Sequence, residues 1–148
     1  MLNKEVFDNK FIHFWNALQT LKYSVIQAKI NEKDEKLFPL LRDSVIQRFE
    51  YTYELSWKFM KYLWRYNENE IETITSYQAI KIAFKAWYID DMKKWFKMID
   101  YRNKTSREYM ENIANDLYFE INWYLNEIQK FYDLIKLKYG QWYFIFDN

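Results

Sequence analysis

Arg102, Asn103, Lys104, Arg107 and Tyr109 fall within one short stretch, Arg-Asn-Lys-Thr-Ser-Arg-Glu-Tyr, and three of them carry a cationic side chain. A guanidinium presents a planar fork of donors that fits phosphoryl oxygens, and an ammonium supplies a compact positive charge, so the cluster suits a phosphate. Thr105 and Glu108 stand three apart, the spacing of a capping box, which predicts a helix starting at Thr105. Arg107 would then sit in the first turn, where unpaired amides and the positive end of the helix dipole favour an anion. The spacing thus predicts a phosphate-binding site built from Arg102, Lys104 and Arg107. A plainer reading has Arg102 capping the preceding helix and pairing with an acidic neighbour. Tyr109, two residues beyond Arg107, has the ordinary reading of a core or boundary tyrosine.

The charge distribution around this stretch is uneven. From Met92 to Arg107 the cations are Lys93, Lys94, Lys97, Arg102, Lys104 and Arg107, against Asp100 alone, and Glu108, Glu111, Asp116 and Glu120 follow. Either each helix end matches its dipole, or the cations form a local anion patch. The net charge of +1 argues against a broadly basic nucleic-acid binder.

Other chemistries find little support. With no Cys, disulfides, thiolate nucleophiles and cysteine-based zinc sites are excluded, and with Gly140 as the only glycine there is no Gly-rich phosphate loop. The single histidine, His13, falls beside an apolar seam and is expected at the surface. No metal site or cofactor is expected. Glu50 and Glu54 form a carboxylate pair at helical spacing, which ordinary surface charge explains as well as acid–base work does.

The elements that would position the cluster are helical. One Gly and one Pro in 148 residues leave out the punctuation of a β protein. A first helix is expected from about Asn3 to Ile30, with Phe7, Phe11, Phe14, Leu18, Leu21, Val25 and Ala28 as its buried seam. A second, with Pro39 near its first turn, should reach about Tyr66 along Leu41, Val45, Phe49, Thr52, Ser56, Phe59 and Leu63. Gln47, Tyr51, Glu54, Lys58 and Lys61 occupy another face, where Glu54 and Lys58 can pair. Thr75 and Gln78 repeat the capping-box spacing and should open a short third helix to about Trp87. A fourth is expected from Asp90 or Asp91 to about Tyr101, around Trp95, Met98 and Ile99. The last carries Ile113, Leu117, Ile121, Tyr124, Ile128, Phe131 and Ile135 and should end at Gly140. The rings of Trp57 and Trp64, beside the second seam, hint at cover from a second chain. These patterns predict an all-α, up-and-down bundle without an apolar run long enough to span a bilayer, hence a soluble, cytoplasmic protein.

Several blocks in order carry a family resemblance: Gln47 to Lys58 (Gln-Arg-Phe-Glu-Tyr-Thr-Tyr-Glu-Leu-Ser-Trp-Lys), Ala83-Phe84-Lys85-Ala86, Ile89-Asp90-Asp91, and the stretch from Arg102 to Tyr109. From about Asn3 to Lys138 the chain resembles the HEPN superfamily, in its nucleotidyltransferase substrate-binding, HepT-like branch. That resemblance implies one HEPN-like domain over residues 1–148 and a four-helix-bundle core with an additional short helix; beyond it, the run Trp142-Tyr143-Phe144-Ile145-Phe146 reads as an aromatic tail over residues 140–148. It also implies a homodimer in which two motif copies face a shared cleft, and a separately encoded minimal nucleotidyltransferase as partner in a toxin–antitoxin-type pair. In HEPN ribonucleases an arginine and a following histidine act on RNA without metal. Arg102 and Asn103 match the arginine and its neighbour, whereas Arg107 stands where the family pattern has histidine. Guanidinium does not give up its proton, so Arg107 cannot be a general base. Tyr109 matches the tyrosine that, in some pairs, receives AMP from the partner. The resemblance therefore implies a partner or substrate-binding subunit of the nucleotidyltransferase with RNase activity impaired or absent; the alternatives are a ribonuclease toxin with another proton carrier, and a plain helical interaction module.

Overall fold

Helix starts in this chain are set by short polar side chains. The structure, a computed structural model, describes residues 3–68, 74–107 and 111–146, and describes side chains for all of these but 65–68, 106–107 and 140–146. Asn3 accepts from the Val6 amide (3.2 Å) and opens α1, Lys4–Ile30. Asp34 accepts from the Leu37 amide (2.9 Å) ahead of α2, Leu37–Glu68, whose first turn contains Pro39. The capping box of Thr75 and Gln78 is formed as expected and starts α3, Ser76–Lys85. Asp91 accepts from the Lys94 amide (3.1 Å) at the start of α4, Met92–Arg107. The fifth helix, α5, is Glu111–Phe146. No strand occurs among the described residues.

The apolar seams become the core. Every residue of the predicted α1 seam is buried, as are Val45, Phe49, Phe59 and Leu63 of α2 and Leu117, Ile121, Tyr124, Ile128, Phe131 and Ile135 of α5. The α1 and α5 chains run in opposite directions: the Phe11 and Tyr132 rings stack 4.7 Å apart, while the Tyr118 hydroxyl donates to Glu32 (2.8 Å) at the far end. Phe59 of α2 meets Phe7, Phe11 and Phe14 of α1. The Thr52 hydroxyl reaches across to the Ala17 carbonyl of α1 (3.1 Å) as well as to Arg48 (2.7 Å), and the buried Ser56 hydroxyl donates to the Tyr53 carbonyl (2.7 Å). Helices α1, α2, α4 and α5 make the bundle, with α3 as the additional short helix packed on α2 and α4. No described helix is long and apolar enough to cross a membrane.

Three boundaries differ from expectation. Helix α4 does not stop near Tyr101 but runs to Arg107, so no helix starts at Thr105. The Thr105 hydroxyl donates backwards to the Tyr101 carbonyl (2.9 Å), the local bond that competes with capping. Arg107 is thus in the last described turn of α4 rather than in the first turn of a new helix. Helix α3 ends at Lys85, and the amides of Trp87 and Tyr88 close it on the carbonyls of Phe84 and Ala83. Trp87 takes the left-handed position of that turn, φ 66°, usually given to Gly. Gly140 does not end α5, which continues through it to Phe146. A single helical Gly costs only about 1 kcal/mol against Ala, which flanking helix can absorb. Residues 140–146 of the expected tail are therefore part of α5. Trp57 and Trp64 pack on this chain's own core.

Candidate functional site

Helix α4 lies with Trp95, Met98 and Ile99 buried against the bundle, and this fixes the directions of the polar residues in its last turns. Arg102 points at α2. Its Nε donates to Glu54 Oε1 (3.2 Å) and its Nη1 stands 3.6 Å from Glu50 Oε2. Lys58 also reaches Glu54 (3.7 Å), the predicted ion pair, so two carboxylates and two cations form a chain across α2 and α4. The Arg102 side chain keeps 28% of its surface exposed, and Glu50 and Glu54 keep 24% and 29%. Beneath them Tyr53 is buried, and that burial pushes its phenol well above the usual tyrosine value, with Ser76, Glu54, Tyr77 and Arg102 as the polar groups around it. Tyr77 extends the polar face by donating to Asp100 (3.3 Å).

Lys104 points elsewhere. With Lys97, Asp100, Tyr101 and Glu120 it lines an open cleft of about 210 Å³ between α4 and α5. Its ammonium lies 5.9 Å from the centre of the Tyr101 ring. Burial first, and then Glu120, pushes the Tyr101 phenol up to about 12. Tyr124 donates to the same Glu120. Of the predicted cluster, the structure separates Arg102 from Lys104, because residues two apart on a helix face different ways. Asn103 is exposed, the Arg107 side chain lies outside the described ones, and Tyr109 lies outside the described residues altogether.

Sequence reasoning singled out Arg102 but not its partners. Glu50 and Glu54 stood a turn apart on α2, and the available signal was a carboxylate pair off the buried seam, 48 residues from Arg102 in the case of Glu54. A second polar hub was missed. Glu127 is 3% exposed and is reached by Lys130 (3.1 Å) and Lys94 (3.8 Å). Asp90 holds Lys130 (3.2 Å) and Asp91 holds Lys94 (3.6 Å), tying the start of α4 to α5. The bond to Glu127, ahead of the opposing desolvation, raises the Lys130 pKa. His13 is exposed on α1, away from both hubs. Among the described residues no group of His, Asp or Glu is placed to hold a metal ion.

Arg102 is thus already engaged by two carboxylates, and no described group beside it is an imidazole. Comparison with known proteins bears on what that arrangement serves. Residues 9–137 match the family model described as nucleotidyltransferase substrate binding protein like. A Haemophilus influenzae protein named "Probable ribonuclease HepT" is 31% identical over 123 residues, covering 76% of this chain and 84% of that protein. Among solved structures, a Haemophilus influenzae protein described as having the fold of a substrate-binding domain of a nucleotidyltransferase superposes with a TM-score of 0.66 at 27% identity, covering 90% of this chain and 99% of the other. A Shewanella oneidensis HEPN toxin, solved tri-AMPylated and in complex with an MNT antitoxin, gives a TM-score of 0.67 at 18% identity over 92% of this chain and 99% of its own, which shows a shared fold.

Proposed function

Because this chain belongs to the nucleotidyltransferase substrate-binding-like family and is a HepT-like helical protein, we propose that it is the HEPN-type subunit that a separately encoded minimal nucleotidyltransferase acts on or through. The pair would be of the toxin–antitoxin type, cytoplasmic, with this chain as a homodimer whose two motifs face one cleft. The nucleotide and its metal belong to the partner, since this chain has neither a Gly-rich loop nor a described metal cluster.

The observation that carries the reading is arginine at position 107, in a chain whose one histidine, His13, sits on α1. Phosphodiester cleavage of the HEPN kind needs a proton carrier, and guanidinium is not one at ordinary pH. Charge stabilisation persists. Arg102 is the central phosphate contact, with Asn103 beside it and Lys104 and Arg107 as outer charges. An incoming phosphate competes with Glu50 and Glu54 for Arg102, so RNA or nucleotide is held weakly until those carboxylates turn away. Tyr109 is the acceptor of AMP from the partner.

The test is co-expression with the nucleotidyltransferase encoded beside the gene, followed by incubation with labelled ATP. We expect a stable complex and label on this chain, lost in Tyr109→Phe. Absence of any complex at micromolar concentrations overturns the partner assignment, and unchanged labelling of Tyr109→Phe removes that tyrosine as acceptor. A second reading, a metal-independent ribonuclease toxin neutralised by the same partner, is favoured by the likeness to "Probable ribonuclease HepT". It requires cleavage by the chain with Arg107 in place.

A further inference from the structure

A small cavity lies where α2, α3 with the turn that follows it, and α5 meet. It encloses about 130 Å³, and its walls include Met60 and Trp64 of α2, Ile82 of α3, Ala86 and Tyr88 of the turn, and Lys138 of α5. Trp64 stands ten residues beyond Glu54 on α2, about 15 Å along the axis, and the cavity shares no residue with the Arg102 hub or with the Glu127 hub. The walls are mostly apolar: Met60 is buried, and Trp64 and Ile82 pack half-buried on the core. Ala86 is the small, exposed residue of the lining, and a larger side chain there would take up the space.

The polar side of this cavity is unbalanced. Among the described residues its one charged group is Lys138, whose ammonium lies 4.5 Å from the centre of the Tyr88 ring and donates to the Tyr88 hydroxyl (3.0 Å). Tyr88 is 8% exposed, and its hydroxyl stands 3.1 Å from that of Tyr139, so a buried phenol holds the ammonium at the cavity. Lys58, Lys94 and Lys130 each meet a carboxylate; Lys138 meets none among the described residues. Trp64 adds to the wall a buried indole N–H without an acceptor among the described residues, a cost that a partner normally offsets. Apolar walls with donors and no acid are the complement of a small organic anion. One ammonium balances one negative charge, and a phosphate would bring a second with nothing to meet it, so the head that fits is a carboxylate. We propose that this cavity binds a small monocarboxylate, its head on Lys138 and its apolar body between Met60, Trp64 and Ile82. Because Tyr88 belongs to the turn that leads into α4, an occupant also ties that turn to α2 and α5.

Benzoate and hexanoate carry the same charge on two different apolar bodies. In the full chain labelled with nitrogen-15, at least one of the two at millimolar concentration is expected to move the Trp64 indole N–H resonance to saturation, that resonance being assigned by its loss in Trp64→Phe. Acetate has the charge without the body and benzyl alcohol the body without the charge; each should bind at least about tenfold more weakly, the worth of one charged hydrogen bond. Lys138→Met keeps the stem and removes the ammonium, so it should weaken the carboxylate by about tenfold and leave benzyl alcohol unchanged. Ala86→Leu, which fills the cavity, should abolish binding of both. Lys138 and Ala86 are exposed, so neither change opens the core. No saturable shift with either acid, equal carboxylate affinity in Lys138→Met and wild type, or acetate binding as tightly as the larger acids would each overturn the proposal, whether or not a nucleotidyltransferase binds this chain.

Discussion

Two ion-pair hubs brace α4, and they are built inside out with respect to each other. Near its start a buried carboxylate, Glu127, is held by the two ammonium groups of Lys94 and Lys130. Near its end a part-exposed guanidinium, Arg102, is held by the two carboxylates of Glu50 and Glu54. The first central group has lost its water and depends on its partners. The second still touches solvent and can trade one partner for another at small cost. Burial, more than the number of ion pairs, separates a fixture from an exchangeable site.

The largest expected effect follows from the buried hub. Replacing both Lys94 and Lys130 by Met strands Glu127 in the interior and should cost roughly 3–5 kcal/mol of stability, read from urea unfolding. Arg102→Met, which leaves only part-solvated carboxylates behind, should cost no more than about 1 kcal/mol. Equal losses at the two hubs would break the contrast. As a calibration of the core, Leu117→Ala should cost about 2–5 kcal/mol, since Leu117 is fully buried.

Binding sharpens the same contrast. At about 1 kcal/mol per nearby carboxylate in a water-like dielectric, the double change Glu50→Gln and Glu54→Gln should tighten AMP binding about thirtyfold, measured by calorimetry. The gain should vanish when Arg102→Met is added. An unchanged affinity in the double variant would show that the carboxylates do not compete with phosphate there.

The smallest effect needs alkaline solution. Tyr101 is pushed up to about 12, and burial also raises Tyr53, Tyr118 and Tyr124, while Lys130 is raised by Glu127. All of these keep their protons in the fold above the pH at which the unfolded chain gives them up, near 10 for a phenol. Their contribution is complete below about pH 10 and is lost as pH rises through the folded values, so stability should fall over that range. Phenolate absorbance that appears fully at pH 10 in the folded protein would contradict this.

The seams of α1, α2 and α5 were legible because burial on one helix face writes a 3.6-residue period into the chain, and Thr75 with Gln78 gave the start of α3 correctly. Thr105 with Glu108 carried the same spacing and misled, since a Thr hydroxyl within a helix can bond its own preceding turn as readily as it caps a new one. Gly140 misled for a related reason: glycine permits a helix to end without compelling it. Arg102 stood out, but its engagement with Glu50 and Glu54 depends on how α4 lies across α2, which no local pattern encodes. The division between Arg102 and Lys104 was readable from helix geometry once both were known to be on α4.

On the proposed function, position 107 decides what the Arg102 hub can do. Single-stranded RNA incubated in EDTA with the wild-type chain and with Arg107→His should be left intact by the first and cleaved by the second, with Arg102→Met abolishing the gained activity. Cleavage by the wild type as fast as by Arg107→His would contradict an anion-holding site that lacks a proton carrier.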